Sequence, residues 1–129
     1  MTSLPADAAP DPGFEQIDDA LCRAFQAHLE VVGRRWNSAI LLAGARGATR
    51  FSEYRAMVTG ISDRLLAQRL TELQREGLIV RTVVPTTPVQ VRYRLTERGR
   101  SLMRALQPIV RWGIDETDAE RPRLHEVSG

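Results

Sequence analysis

The sequence predicts a mainly α-helical domain carrying one small β-hairpin, and three observations lead there. Apolar residues recur three or four positions apart from Phe14 to Leu41 and again through Leu65, Leu66, Leu70 and Leu73. The period then shortens to two in "LIVRTVV" and "VQVRYRL", with the turn "PTTP" at Pro85 to Pro88 between them. Helical spacing returns after Thr96 through Leu102, Leu106, Ile109, Val110 and Trp112.

Residues 1–13 are rich in Pro, Ala and Asp and predict a disordered tail. A first helix follows through Phe14, Ile17, Leu21, Phe25, Leu29 and Val32, and Gly33 interrupts it. Trp36, Ile40 and Leu41 continue as a second helix that ends near "GARG" at Gly44 to Gly47. A short third helix spans Ser52 to Met57, with Ser52 as cap and Phe51 as a hydrophobic staple. The fourth begins at Ser62, a good N-cap, has Asp63 in its first turn and stops before Gly77. Its leucines share one arc. Arg64, Gln68, Thr71 and Arg75 form a narrow stripe opposite, with no acid in it, while Arg69 falls at the edge of the apolar arc. In the hairpin, Val89, Val91, Tyr93 and Leu95 alternate with Gln90, Arg92 and Arg94, which gives a basic outer face. Thr96 caps a last helix that Pro108 kinks or shortens, and an acidic, loose tail occupies 114–129. A helical pair, a short helix, another helix and a hairpin make a winged helix-turn-helix over residues 14–113.

Charge narrows the function. The net charge of +2 hides a basic body with acidic ends. Leu21 to Trp112 holds 16 arginines and 6 acids, whereas the ends hold 10 acids and 2 arginines. A basic body suggests a polyanion partner. All 18 basic residues are Arg, so every cationic contact is a guanidinium, suited to phosphate and guanine. The single Cys22 excludes an internal disulfide framework and, with no apolar run long enough for a membrane span and no secretory signal, fits a reducing cytoplasm. His28 and His125 lie far apart, no His/Cys/carboxylate spacing suggests a metal site, and no Gly-rich loop follows a strand. Catalysis and cofactors therefore find no support.

In a winged helix-turn-helix the second helix of the motif enters the major groove and the hairpin lies against the backbone or minor groove. The 62–76 helix is then the reader, with Arg64, Gln68 and Thr71 as base contacts, since Arg can fork onto guanine and Gln onto adenine. Ser62 and Arg75, with Gln90, Arg92 and Arg94 of the 79–95 wing, are the backbone contacts; for the wing residues the plainer alternative is protection of an edge strand by charge.

The chain resembles the HxlR-type bacterial regulators, which are related to the MarR group. The resemblance is carried by "GRRW" at Gly33 to Trp36 followed by "AILL", "RFSEYR" at Arg50 to Arg55, "GIS" at Gly60, "LLAQRLTEL" into "EGLIVR", and "VRYRLTERG" at Val91 to Gly99. It implies a homodimeric, operator-binding transcription factor whose subunits meet through the first and last helices. Leu21, Phe25, Ile109 and Trp112 are the expected dimer contacts. Many such regulators carry Cys-Pro where this chain has Cys22-Arg23, an acid at Thr86, and "VEY" at Val91 to Tyr93; the wing here is more cationic. Some sense oxidants through an N-terminal cysteine. Arg23 would favour a thiolate at Cys22, but the plainer reading is a small, unreactive apolar residue. Trp36, Phe25, Tyr54 and Trp112 are read as core aromatics rather than as an effector pocket, and the effector, small-molecule or redox, is left unnamed. Two other classes fit the same charge and fold: a nonspecific nucleoid-type DNA binder and a winged-helix protein-interaction module.

Overall fold

The computed structural model describes residues 9–128, with side chains through residue 119. The order is α1 (Asp19–Gly33), α2 (Asn37–Ala45), α3 (Phe51–Met57), α4 (Asp63–Arg75), β1 (Ile79–Val84), β2 (Gln90–Leu95) and α5 (Glu97–Ser128). The chain divides into two units, Met1–Arg34 and Arg35–Gly129. The first holds α1 and the second every other element.

In the first unit the helix begins later than its apolar pattern. Asp18 is the N-cap and its carboxylate accepts from the Leu21 N–H at 2.9 Å. Phe14 and Ile17 precede the helix, in turns closed by Phe14 N–H to Asp11 O (3.1 Å) and Ile17 N–H to Phe14 O (3.4 Å). A strong capping carboxylate outweighs an apolar spacing that continues beyond it. Residues 1–8 of the expected tail lie outside the described residues, and 9–13 contain no helix or strand.

In the second unit the core is built from Ile40, Leu41, Tyr54, Leu66, Leu70 and Leu73, closed by Leu78, Ile79 and Leu95 from the base of the hairpin. β1 and β2 pair antiparallel, from Ile79 opposite Leu95 to Val84 opposite Gln90. Three local expectations are corrected. Trp36 is not helical: it precedes α2 at φ 78, a left-handed conformation that costs a non-glycine residue roughly 1–2 kcal/mol. The Arg35 guanidinium lies 5.0 Å from its ring. The third helix begins at Phe51, not after a Ser52 cap, because the Glu53 carboxylate folds back to accept from the N–H groups of Arg50 (2.8 Å) and Thr49 (3.2 Å). Those two backbone donors, Arg50 first, hold the Glu53 carboxyl below its ordinary range. Finally, α5 does not stop at Gly113; it crosses Pro108 and continues through the acidic segment to Ser128. A proline removes one donor from a helix, and an established helix propagates readily through residues such as Glu and Ala.

Thr96 caps α5 as expected. Its hydroxyl accepts from Gly99 N–H at 3.0 Å and donates to Gly77 O at 2.6 Å. Glycine is required at 99, since a Cβ there would lie 2.2 Å from Leu78 O.

Candidate nucleic-acid interface

α4 forms as its sequence dictates. Ser62 Oγ accepts from Leu65 N–H at 3.1 Å, and Gly77 takes φ +74 just past the C-cap Glu76. Leu66, Leu70 and Leu73 are buried, which fixes the rotation of the helix and turns Arg64, Gln68, Thr71 and Arg75 outward. All four side chains are exposed. Thr71 already donates its hydroxyl to Ala67 O at 3.0 Å, so toward a ligand it offers acceptor lone pairs and its methyl group. Arg69 stays on the inner side, 12% exposed and paired with Glu72 at 2.9 Å. An Arg55–Asp63 ion pair at 3.1 Å ties α3 to the first turn of α4.

The hairpin is less simple than its alternation. Directly opposed residues share a face, so Gln90, Arg92 and Arg94 stand beside Val84, Thr82 and Val80. Only Arg94 of the three basic-face residues is exposed. Arg92 is half-buried: its Nη1 donates to Thr49 Oγ1 at 3.1 Å and its Nη2 to Gln90 Oε1 at 2.7 Å. Arg94 sits at the base of the hairpin, where it faces the end of α2 and the start of α5. Arg81, opposite Tyr93, is a further exposed arginine on the other face, which it shares with Ile79 and Val83, so the alternation of the strand groups it with apolar residues and does not single it out.

A clip joins the hairpin to the helix-turn-helix. The Tyr93 N–H donates to Thr49 O at 2.6 Å and the Tyr93 carbonyl accepts from the buried Tyr54 hydroxyl at 2.9 Å. The two rings meet edge to face, with centroids 6.5 Å apart. Burial pushes the Tyr54 phenol up to about 12. No motif or spacing singles out Thr49, which accepts from Tyr93 and Arg92 and donates its hydroxyl to Glu53 at 3.2 Å.

The four residues expected at a dimer contact are exposed: Leu21 53%, Phe25 62%, Ile109 60% and Trp112 64%. Of the four aromatics expected in the core, Tyr54 alone is fully buried; Trp36 is half-buried, and Phe25 and Trp112 are on the surface because α1 and the distal part of α5 have uncovered apolar faces. Cys22 is also exposed, and Gln26 Nε2 lies 4.0 Å from its sulfur. Among the described residues no cluster of three His, Cys, Asp or Glu could hold a metal, and no helix is long and apolar enough to cross a membrane.

The HxlR-like helix-turn-helix family model matches residues 31–121. The HTH-type transcriptional regulator YvaP of Bacillus subtilis (strain 168) is 36% identical over 98 residues, covering 76% of this chain and 91% of YvaP. A solved structure of the reduced form of the transcriptional regulator YodB from B. subtilis matches with a TM-score of 0.62 at 35% identity, covering 74% of this chain and 90% of that one. A regulator of the MarR family from Enterococcus faecalis V583 matches with a TM-score of 0.68 at 28% identity, covering 82% and 93%. The relatives are named as transcriptional regulators, not enzymes.

Proposed function

The chain belongs to the HxlR-like helix-turn-helix family of DNA-binding transcriptional regulators, and from that premise we propose that it acts as a homodimer reading a palindromic operator in the cytoplasm. The observation that carries this reading is the outward stripe of α4. It holds Arg64, Gln68, Thr71 and Arg75 with no acid among them, on a helix whose rotation is fixed by three buried leucines. Arg64, Gln68 and Thr71 meet base edges; Arg75 and the N-terminal turn at Ser62 meet phosphates. Gln90 and Arg92 form one hydrogen-bonded unit of the wing against the backbone, with Arg94 at its base. Two α4 helices in a dimer would stand about 34 Å apart, or a multiple of that, to meet successive major grooves. The exposed apolar faces of α1 and α5 supply the subunit contact. An exposed Cys22, together with a relative whose structure is described as a reduced form, supports a redox effector.

Site selection from a random DNA pool followed by titration tests this reading. An enriched palindrome supports an operator; no enrichment favours a nucleoid-type binder, and no DNA binding at all favours a protein-interaction module. On an enriched site, Arg64→Ala or Gln68→Ala lowers operator affinity by about 1–3 kcal/mol and shrinks the ratio of operator to scrambled-duplex affinity. Arg92→Ala lowers both affinities, preserves their ratio and flattens the salt slope by about one unit. A ratio untouched by both α4 substitutions refutes base reading by this helix.

A further inference from the structure

We propose that Arg35, held over the ring of Trp36, is a phosphate contact beside the turn that leads into α4, outside both the reading stripe and the wing. Its Cζ lies 5.0 Å from the Trp36 ring centroid, on an exposed side chain. Among the described residues no carboxylate pairs with it. The Trp36 ring in turn lies against Gly60, where a Cβ would stand 3.7 Å from the ring Cη2. Gly60 and Ile61 lead directly into the Ser62 cap of α4. Arginine, ring and turn all belong to the second unit.

Helix formation alone does not explain Trp36. α2 opens on the Trp36 carbonyl, which accepts from Ile40 N–H at 3.0 Å, and no side chain caps the first turn. Ser, Asp or Asn would suit a helix start better. Among the described residues Trp36 is also the one non-glycine residue with positive φ. A bulky residue keeps such a conformation only where its surroundings over-determine it, and such residues collect at ligand clamps and switches. Here the ring has the Gly60 turn at its Cη2 edge and the guanidinium on its face. A guanidinium resting on an aromatic face keeps its in-plane N–H donors free at the rim, and the attraction to the ring limits its rotamers. That arrangement suits the oxygens of a phosphate. A helix that enters the major groove meets base edges with its N-terminal residues, so the turn before it stands at the edge of the groove, where the phosphodiester strand passes. Asp63, the acid nearest in sequence to that turn, is answered by Arg55 at 3.1 Å. The plainer alternative, a solvated arginine on a structural tryptophan, predicts no effect on DNA. The inference rests on DNA binding through α4, and not on base reading by its stripe.

The test uses the full chain and two duplexes, the site enriched from a random pool and a scrambled sequence, titrated at several salt concentrations; with no enriched site, the scrambled duplex alone measures the salt slope. Arg35→Ala is expected to weaken binding to both about tenfold, leave their ratio intact and flatten the salt slope by about one unit for each chain bound. Arg35→Lys keeps the slope, since a point charge also holds a phosphate. Arg46→Ala, at an exposed arginine on the other end of α2, leaves affinity and slope unchanged. Equal losses in Arg35→Ala and Arg46→Ala mark a general effect of net charge and overturn the proposal, as does an unflattened slope in Arg35→Ala. On wild-type protein carrying 5-fluorotryptophan, with Trp112→Phe giving the assignment, the Trp36 resonance moves as duplex saturates the chain. A Trp36 resonance unmoved in the saturated complex overturns the proposal without any variant at position 35. If Arg64→Ala shrinks the affinity ratio while Arg35→Ala changes nothing, this contact alone fails. If the wild type binds neither duplex, the DNA-binding reading fails and the contact fails with it.

Discussion

Replacing Tyr54 by Phe removes one oxygen from the centre of the second unit and tests the clip between wing and helix-turn-helix. The Tyr54 side chain is fully buried, and its hydroxyl donates to the Tyr93 carbonyl at 2.9 Å. Deletion loses a hydrogen bond worth about 1 kcal/mol net and leaves a part-buried carbonyl without its donor, for a total of about 1–2 kcal/mol. The ring and its edge-to-face contact with Tyr93 persist, so no large cavity opens. For a chain of this size that loss lowers Tm by about 4–8 °C. The pH dependence supplies a second signature. The folded phenol holds its proton up to about 12, against 10.0 ordinarily. The unfolded chain therefore releases this proton first, and the stability it confers is complete below pH 10 and is lost as pH rises from 10 toward 12. Tyr54→Phe lacks that group, so its alkaline decline is shallower than that of the wild type. Urea denaturation between pH 7 and 11.5, with amide exchange at Tyr93 as a local probe, measures both effects. An unchanged midpoint at pH 7 together with parallel alkaline curves would refute the reasoning.

Gly99→Ala forces a Cβ to within 2.2 Å of a backbone oxygen and is expected to destabilise by about 3 kcal/mol or more, whereas Gly113→Ala, with nothing within 4 Å, is expected to stabilise α5 by about 0.5–1 kcal/mol; thermal denaturation of the pair checks both. Light scattering at micromolar concentration is expected to give a dimer, which Phe25→Glu and Trp112→Glu each shift toward monomer; a wild-type monomer counts against the proposed assembly. Peroxide or quinone is expected to change the DNA affinity of the wild type and not of Cys22→Ser, and an equal response of the two proteins removes Cys22 as the sensor.

The elements set by local rules were legible in the sequence. Ser62, Gly77 and the leucines of α4 specify that helix by capping and period alone, and the change to period two marks the hairpin. What was not legible depends on contacts distant along the chain. Arg92 reads as an outward strand residue, but its partner Thr49 lies 43 positions away and draws it inward. Glu53 reads as surface charge, and only its fold back onto Thr49 and Arg50 explains why α3 begins at Phe51. The Trp36 conformation was hidden for a related reason: left-handed backbone is ordinarily signalled by glycine, and this turn has none at that position.

The immobilisation of Arg92 has a consequence for the entropy of recognition. Of its five N–H donors, one is held by Thr49, one by Gln90, and the Nε donor is buried without a partner among the described residues. Two donors remain on a side chain already confined to one rotamer. A long side chain that must be frozen on binding loses about 0.5–1.5 kcal/mol of conformational freedom, and here that loss is taken during folding. Arg64, exposed on α4, still has that ordering ahead of it. If the wing contacts a phosphate as proposed, that phosphate would meet a donor already held in place, and the entropic cost of complex formation would fall mainly on α4.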